Sequence, residues 1–405
     1  MKRRQWLQMM GSMGLLGFSP ALRAQPTGGK RRLLVIFNRG GWDPSYVFDP
    51  HFDSSFVDSP SDSTLEEMGG IPFADSHLRP SVRLFFEQYA ASSCVVNGIA
   101  VGSISHPKCE QLFMTGSRDL DAPDFPAMVA HGRGETAPLP YLVMSGPRMP
   151  GRFGALMAPV DALFGGILQG EQPVSASELT LRDDLIADYL QSVSENRSGR
   201  LAEDYRASLK RRAGLDEFAH LFDVPTAPTF QESVALAADA LANDIAVSAM
   251  VQGPLPDLVR WDSHSDNTNN QNKAFERLFD ELISVMSMLN SQSDSDGVPL
   301  IETTTLAVVS EMGRTPVMNG AGGKDHWPYT SALLVGAGIK GGQLVGGTDD
   351  SMLGTGVDFA SGAVHGSGQS LTVPNLLSGL LQSFDVDGRE FFPNDDPFTA
   401  PFTGS

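Results

Sequence analysis

The sequence has very little cysteine, and this limits how it can hold a metal or brace its fold. Among its 405 residues there are only two cysteines, Cys94 and Cys109. Two thiols are too few for a disulfide scaffold or a thiolate zinc cluster. They could pair in an oxidising compartment, although two ordinary buried thiols are the simpler expectation. Any metal must therefore be held by carboxylate and imidazole groups.

Positive charge is also scarce. The chain carries 29 Lys and Arg against 48 Asp and Glu, a formal net charge of -19. Because nucleic-acid binding depends on Lys and Arg contacts to phosphate, this balance excludes nucleic acid as an expected partner. An acidic chain is compatible with cation binding, and it is also common among soluble exported proteins.

Long apolar runs are missing, and the N-terminus carries an export signal instead. The opening "MKRRQWLQMMGSMGLLGFSPALRAQ" has a basic start, an apolar segment from Trp6 to Phe18 and small residues before Gln25, which is typical of a cleaved signal. Arg3 and Arg4 fit the twin-arginine pattern. We therefore predict a signal peptide over residues 1–24, recognition by the twin-arginine export machinery, no transmembrane anchor after cleavage, and a periplasmic or secreted protein. The alternative is a retained signal that tethers the chain.

Short apolar runs alternate with amphipathic stretches over residues 28–405. The clearest amphipathic stretch, from Asn272 to Leu289, repeats its apolar residues at helical spacing. This alternation predicts one α/β domain with a mainly parallel sheet. A segment at about 175–250 has no strand-like run and is predicted to be a helical insertion. The predicted strands are Leu33 to Phe37 and the runs within "SSCVVNGIAVG", "LPYLVMSG", "TTTLAVVSE" and "SALLVGAGI".

Acidic and imidazole side chains follow most of these runs. Ligands of a parallel sheet gather at the carboxyl ends of its strands, and hard or borderline cations prefer such groups. Each residue alone also has a structural explanation, such as a turn, a helix cap or an ion pair. Together they predict a metal site. The residues concerned are Asp43, Ser105 (which precedes Pro107 at a predicted helix start), Asp262, His264, Glu311, Asp325 and His326.

Five motifs in this order resemble an exported sulfatase-like family, domain of unknown function 1501, in the alkaline phosphatase and sulfatase superfamily. They are "VIFNRGGWD", "SHPKCEQLFMTG", "WDSH", "SEMGRTP" with "GGKDHW", and "LLVGAGIKGG". The resemblance covers nearly the whole mature chain. It implies an alkaline phosphatase-like three-layer sandwich with two metal positions and a nucleophile at a helix N-terminus.

The resemblance also assigns roles. Ser105 stands at the position of the catalytic nucleophile, and Asp325, His106, Lys108 and Arg314 are candidates for supporting the ligands or contacting the substrate. Asp325 could alternatively be a ligand itself. His106 could alternatively replace a lost ligand, or be structural. The implied metal ligands are Asp43, Asp262, His264, Glu311 and His326.

Two departures from the superfamily pattern are visible. Met312 follows Glu311 where an imidazole is usual, so one of the two metal positions is expected to be weak or empty. Cys109 stands where sulfatases carry an arginine, which argues against a typical sulfatase. The resemblance still implies an exported hydrolase of phosphate or sulfate esters with one or two divalent ions, zinc, calcium or magnesium, and an anionic ester substrate. The alternatives are a non-catalytic metal-binding or envelope-assembly protein on the same fold, and an enzyme acting on a large polymer.

Overall fold

Eight strands of one sheet organise the molecule. The computed structural model describes residues 29–134, 136–160 and 227–403, with four isolated positions at 177, 181, 184 and 185. The strands in chain order are β1 (Arg32–Phe37), β2 (Ser63–Met68), β3 (Ile71–Ser76), β4 (Ser93–Ala100), β5 (Tyr141–Val143), β6 (Met157–Pro159), β7 (Ser248–Gln252), β8 (Thr304–Val309), β9 (Gly313–Arg314), β10 (His326–Trp327), β11 (Tyr329–Gly336), β12 (Gln343–Gly346), β13 (Gly356–Val357) and β14 (Gln369–Ser370). The α-helices among the described residues are α1 (Pro80–Tyr89), α2 (His106–Thr115), α3 (Phe125–Arg133), α4 (Phe230–Ala242), α5 (Asn267–Ser291) and α6 (Val373–Ser383).

The central sheet is mainly parallel, as predicted. Its strand order is β12-β4-β11-β8-β1-β7-β5-β6. β1 pairs in parallel with β7 and β8, whereas β11 is antiparallel to both of its neighbours, β4 and β8. A strand that runs the opposite way begins at the edge where the parallel strands end. The segment before β11 is therefore delivered to the same edge as the segments that follow β1, β4, β7 and β8.

Helices cover both faces of the sheet, which gives three layers. In β1 every residue is buried, but Leu34 and Ile36 belong to one apolar cluster and Leu33, Val35 and Phe37 to the other, as the period of two in a strand requires. The first cluster contains residues of α1, α4 and α5, and the second contains residues of α2, α3 and α6. The predicted α/β sandwich is confirmed.

Helix α5 extends the predicted amphipathic stretch at both ends. All of its predicted core positions are buried. The ring of Phe275, in α5, stacks on Trp42 with ring centroids 6.0 Å apart. The same ring meets Trp261 edge-on, with centroids 4.8 Å apart. Trp42 lies in the loop after β1 and Trp261 in the loop after β7. These aromatic contacts fix both loops against one helix at the edge of the sheet.

The predicted helical insertion lies largely outside the described residues, as does the predicted signal peptide. Within its described part, α4 carries a capping box between Thr229 and Glu232 and packs in the main core. The run "SAMVQ" then forms β7, a central strand beside β1. The sequence does not predict this strand, because its small residues do not stand out from the alanine-rich helix before it. None of the helices in the described ranges is long and apolar enough to cross a membrane.

Candidate metal centre

Three imidazole rings meet one carboxylate at the edge of the sheet. Oδ1 of Asp262 lies 3.3 Å from Nε2 of His106, 3.3 Å from Nε2 of His326 and 3.2 Å from Nε2 of His264. His106 is the first residue of α2, Asp262 and His264 lie in the loop after β7, and His326 begins β10. Because these segments all lie at the same edge of the sheet, residues far apart in sequence meet in one cluster.

Each ring is fixed by a hydrogen bond at its other nitrogen. Nδ1 of His106 lies 2.8 Å from Glu311 Oε1, Nδ1 of His264 lies 2.7 Å from Asp325 Oδ1, and Nδ1 of His326 lies 2.7 Å from the carbonyl oxygen of Ile104. Because carboxylates and carbonyls only accept hydrogen bonds, each Nδ1 must donate. Each ring thus turns its Nε2 toward Asp262, which is the usual arrangement of histidines that bind a metal in their neutral form.

The three Nε2 atoms face Asp262 and one another across the cluster. Nε2 of His106 is buried and forms no hydrogen bond, and Nε2 of His264 lies only 2.9 Å from Nε2 of His326. Two lone pairs at that distance repel unless a proton or a cation lies between them. The ligand atoms of His106, Asp262 and His326 all lie within 4.8 Å of one another. A divalent cation fits this set, and the mixture of nitrogen and oxygen donors suits zinc.

Arg314 keeps Asp262 ionised. Its guanidinium is fully buried and donates from Nη2 to Asp262 Oδ1 at 2.7 Å, while other nitrogens bond the carbonyl oxygens of Gly41 and Lys324. Burial opposes ionisation of Asp262, but the hydrogen bond and charge of Arg314, with the nearby histidines, lower its pKa to about 2. The carboxylate is thus negative at neutral pH.

Glu311 contacts the cluster through His106. It is fully buried and accepts from the backbone nitrogen of Gly40 at 2.8 Å and from Ser310 Oγ at 3.2 Å, besides its contact with His106. The hydrogen bond to Glu311 raises the pKa of His106, against the effect of burial. A side chain so placed orients the ring of His106, while the predicted role of Glu311 as a direct ligand stays a prediction.

Asp43 has different neighbours from the cluster. Both Asp43 and Lys324 are fully buried, and Lys324 Nζ lies 2.9 Å from Asp43 Oδ2. Asp43 also caps the short 3-10 helix Pro44–Tyr46. Its predicted role as a metal ligand therefore finds no support in these contacts.

The sequence comparison assigns a family. Residues 30–399 match the family described as "Protein of unknown function (DUF1501)". The chain belongs to the DUF1501 family. The prediction from its motifs is confirmed, and a search of curated proteins found no match.

Several solved structures are similar to this DUF1501 protein. A protein in the alkaline phosphatase superfamily from Vibrio parahaemolyticus is 9% identical with a TM-score of 0.41, covering 95% of this chain and 75% of that chain. The C-terminal periplasmic domain of EcEptC from Escherichia coli is 10% identical with a TM-score of 0.41, covering 91% and 86%. The PsFucS1 sulfatase from Pseudoalteromonas sp. is 9% identical with a TM-score of 0.37, covering 93% and 71%. Identities and scores this low say nothing about activity.

Ser105 is well exposed at the start of α2 in the DUF1501 protein. It is the N-cap residue, but its side chain forms no capping hydrogen bond, so the hydroxyl is not committed to the helix. A surface groove of about 440 Å³ adjoins it and is lined by Ser105, Pro107, Lys108, Gln111 and Leu120, among others. Nζ of Lys108 bonds Gln111 at 2.9 Å.

The sequence does not reveal one ion pair near the cluster, and it leaves the role of one cluster residue open. Arg39 and Glu110 form an ion pair of 2.5 Å, and Glu110 lies one helical turn after His106. The motifs leave the role of His106 open between a replacement ligand, a substrate contact and a structural residue, because a residue between a helix cap and a proline has no ligand signature. Met312, where the usual pattern is broken, is fully buried in the core.

Proposed function

We propose that this protein is an exported metal-dependent hydrolase of phosphate or sulfate esters. The observation that carries the proposal is the convergence of three Nε2 atoms on Asp262, each ring held by a hydrogen bond at Nδ1. Three protein ligands with an accessible fourth position are typical of catalytic zinc. Asp262 is 41% exposed and His264 47%, so a substrate can reach the cluster from solvent.

His106, Asp262 and His326 are the proposed ligands of the hydrolase, and His264 lies beside them. A divalent ion there would lower the pKa of a hydroxyl or water and stabilise charge on the oxygens of the ester. Glu311 and Asp325 orient the rings of His106 and His264, and Arg314 holds Asp262 in its charged form. These supporting contacts keep the ligand atoms in place before any ion arrives.

Ser105 is the proposed nucleophile. Its hydroxyl oxygen would form a bond to phosphorus or sulfur as the bond to the ester oxygen breaks, and the hydroxyl proton would leave with the alcohol. Water would then cleave the seryl ester and restore the hydroxyl. The backbone nitrogens at the start of α2 favour a tetrahedral anion beside Ser105, and the adjoining groove offers room for the organic part of the substrate.

The test is metal analysis of the mature protein followed by turnover of a panel of aryl phosphates and sulfates. His106→Ala should lose the ion and the activity together, and Ser105→Ala should keep the ion and lower kcat by at least about 1000-fold. His77→Ala, an exposed histidine outside the cluster, is the matched control. Normal turnover by Ser105→Ala would remove Ser105 from the mechanism, and turnover without any metal would reject metal dependence.

A non-catalytic metal-binding protein is the second candidate. The observation in its favour is that His264 completes a set of four donors around the cluster, and closed four-ligand zinc sites are usually structural. A bound ion with no turnover across the whole panel, for the wild type and for His264→Ala alike, would establish this alternative in place of the hydrolase.

Export through the twin-arginine route is part of the proposal. Its support is the N-terminal pattern around Arg3 and Arg4. Replacing both with Lys should retain the protein in the cytoplasm, and the exported wild type should begin at Gln25. Normal export of the double variant would exclude this route.

A further inference from the structure

A buried ion pair lies in the position where the sequence led us to expect a metal ligand. Asp43 follows β1 at the edge of the sheet that carries the cluster, and Lys324 lies two residues before His326. Both side chains are fully buried, and Nζ of Lys324 lies 2.9 Å from Oδ2 of Asp43. Lysine is rarely buried completely unless it is paired.

The carboxylate of Asp43 has no lone pair left for a metal. Oδ2 accepts from Lys324 Nζ and from Asn267 Nδ2 at 3.0 Å. Oδ1 accepts from the backbone nitrogen of Ser45 at 3.2 Å and from its hydroxyl at 2.7 Å. A carboxylate offers about four lone-pair sites, so these four donors fill it. A second metal position built on Asp43 does not fit this structure.

The charges at the centre lead to the same conclusion. The carboxylates are Asp43, Asp262, Glu311 and Asp325, the cations are Arg314 and Lys324, and histidine rings that bind a metal must be neutral. The formal charge is therefore -2, which one divalent ion neutralises. A second ion would leave an excess of two positive charges beside buried cations, which a low-dielectric interior disfavours strongly.

We propose that this centre takes one divalent ion and that the ammonium group of Lys324, paired with Asp43, is its permanent second cation. The inference rests on the proposed metal site and specifies how many ions that site holds. It also gives Lys324 a positioning role, because its backbone nitrogen bonds the carbonyl of Ser263 at 3.0 Å and its carbonyl accepts from Arg314. Through these two backbone contacts, Lys324 holds the loop after β7 close to Arg314, the residue that keeps Asp262 ionised.

The experiment counts zinc per chain by elemental analysis after exhaustive dialysis of the mature protein. The wild type and the double variant Asp43→Asn with Lys324→Met should each hold one ion, and His106→Ala should hold none. Two ions in the wild type, or loss of the ion from a folded double variant, would overturn the inference. One ion without ester turnover would reject the hydrolase and leave this inference standing, whereas no ion at all would reject both.

A double-mutant cycle on unfolding tests the pair without any metal. Lys324→Met alone leaves a buried carboxylate unpaired, so it should reduce the folding equilibrium constant about 100-fold or more, and Asp43→Asn in the same chain should recover most of the loss. Circular dichroism in urea measures the four proteins in the presence of a chelator. Additive losses in the double variant would show that the two charges do not act as a pair and would contradict the role of Lys324.

Discussion

Each of three histidines gives one ring nitrogen to the protein and leaves the other for a ligand. His264 and His326, both predicted from the sequence to be metal ligands, lie together in the cluster. It could not show which acceptor fixes each ring, because Glu311 and the carbonyl of Ile104 approach only in the folded chain. On the same long-range contacts we propose that Glu311 supports His106, whereas the sequence predicts a direct ligand.

Replacing Glu311 distinguishes a direct metal ligand from a residue that only orients the ring of His106. Glu311→Gln keeps an acceptor for His106 but removes its charge, so zinc affinity should fall about 10- to 100-fold, as for other partners of metal-binding histidines. Zinc titration against a competing chelator measures the change, and Glu302→Gln, an exposed position, is the control. An ion lost as completely as in His106→Ala would instead indicate direct ligation by Glu311.

The two cysteines are free and buried in the described structure, in agreement with the simpler expectation from the sequence. Burial raises the pKa of Cys94 to about 12 and that of Cys109 to about 11. Because the thiolate is the reactive form, neither should react with a disulfide reagent at pH 8 in the native protein, and both should react in guanidinium. Fast labelling of one native thiol would show that its helix or strand opens readily.

At the scale of the elements, prediction succeeded where a strand or helix has a strong apolar pattern. β1, β4, β5, β8 and β11 and the long helix α5 were all expected. The direction of β11 was not, because a buried apolar run reads the same for either strand direction. That direction matters for the site, since an antiparallel β11 starts at the edge where its neighbours end and so places His326 beside His106.

The loop after β1 depends on a glycine that no other residue can replace without strain. Gly40 has a φ of +123°, and a Cβ there would lie 2.9 Å from Trp261 Cβ and 3.0 Å from the backbone nitrogen of Asp262. Gly40→Ala should cost at least about 1–3 kcal/mol from the backbone conformation alone and should push the loop that carries Asp262 outward, weakening zinc binding.

Gly154→Ala is the matched control for that substitution, because nothing lies within 4 Å of a Cβ at Gly154. Urea unfolding and zinc titration of both variants give the comparison. Unchanged zinc affinity in the Gly40→Ala variant would mean that the two loops move independently, despite the aromatic contacts that join them to α5.

At the scale of the whole molecule, the cluster connects segments that lie far apart in the sequence. Ligands and supports lie between Gly40 and His326 in sequence and follow or precede five different strands of one sheet. An ion bound to His106, Asp262 and His326 therefore joins α2, the loop after β7 and β10 across the edge of that sheet. Since the unfolded chain has no such preformed site, binding favours the folded state.

Zinc should consequently raise the thermal stability of the protein by an amount set by its concentration. At 100 times its dissociation constant the stabilisation is about 2.7 kcal/mol, which for a domain of this size corresponds to a rise in Tm of about 2–4 °C. Differential scanning calorimetry with zinc and with a chelator measures the shift. His77→Ala should show the full shift and His106→Ala none, because only the second variant lacks a ligand. Equal shifts in both variants would place the zinc elsewhere on this acidic surface.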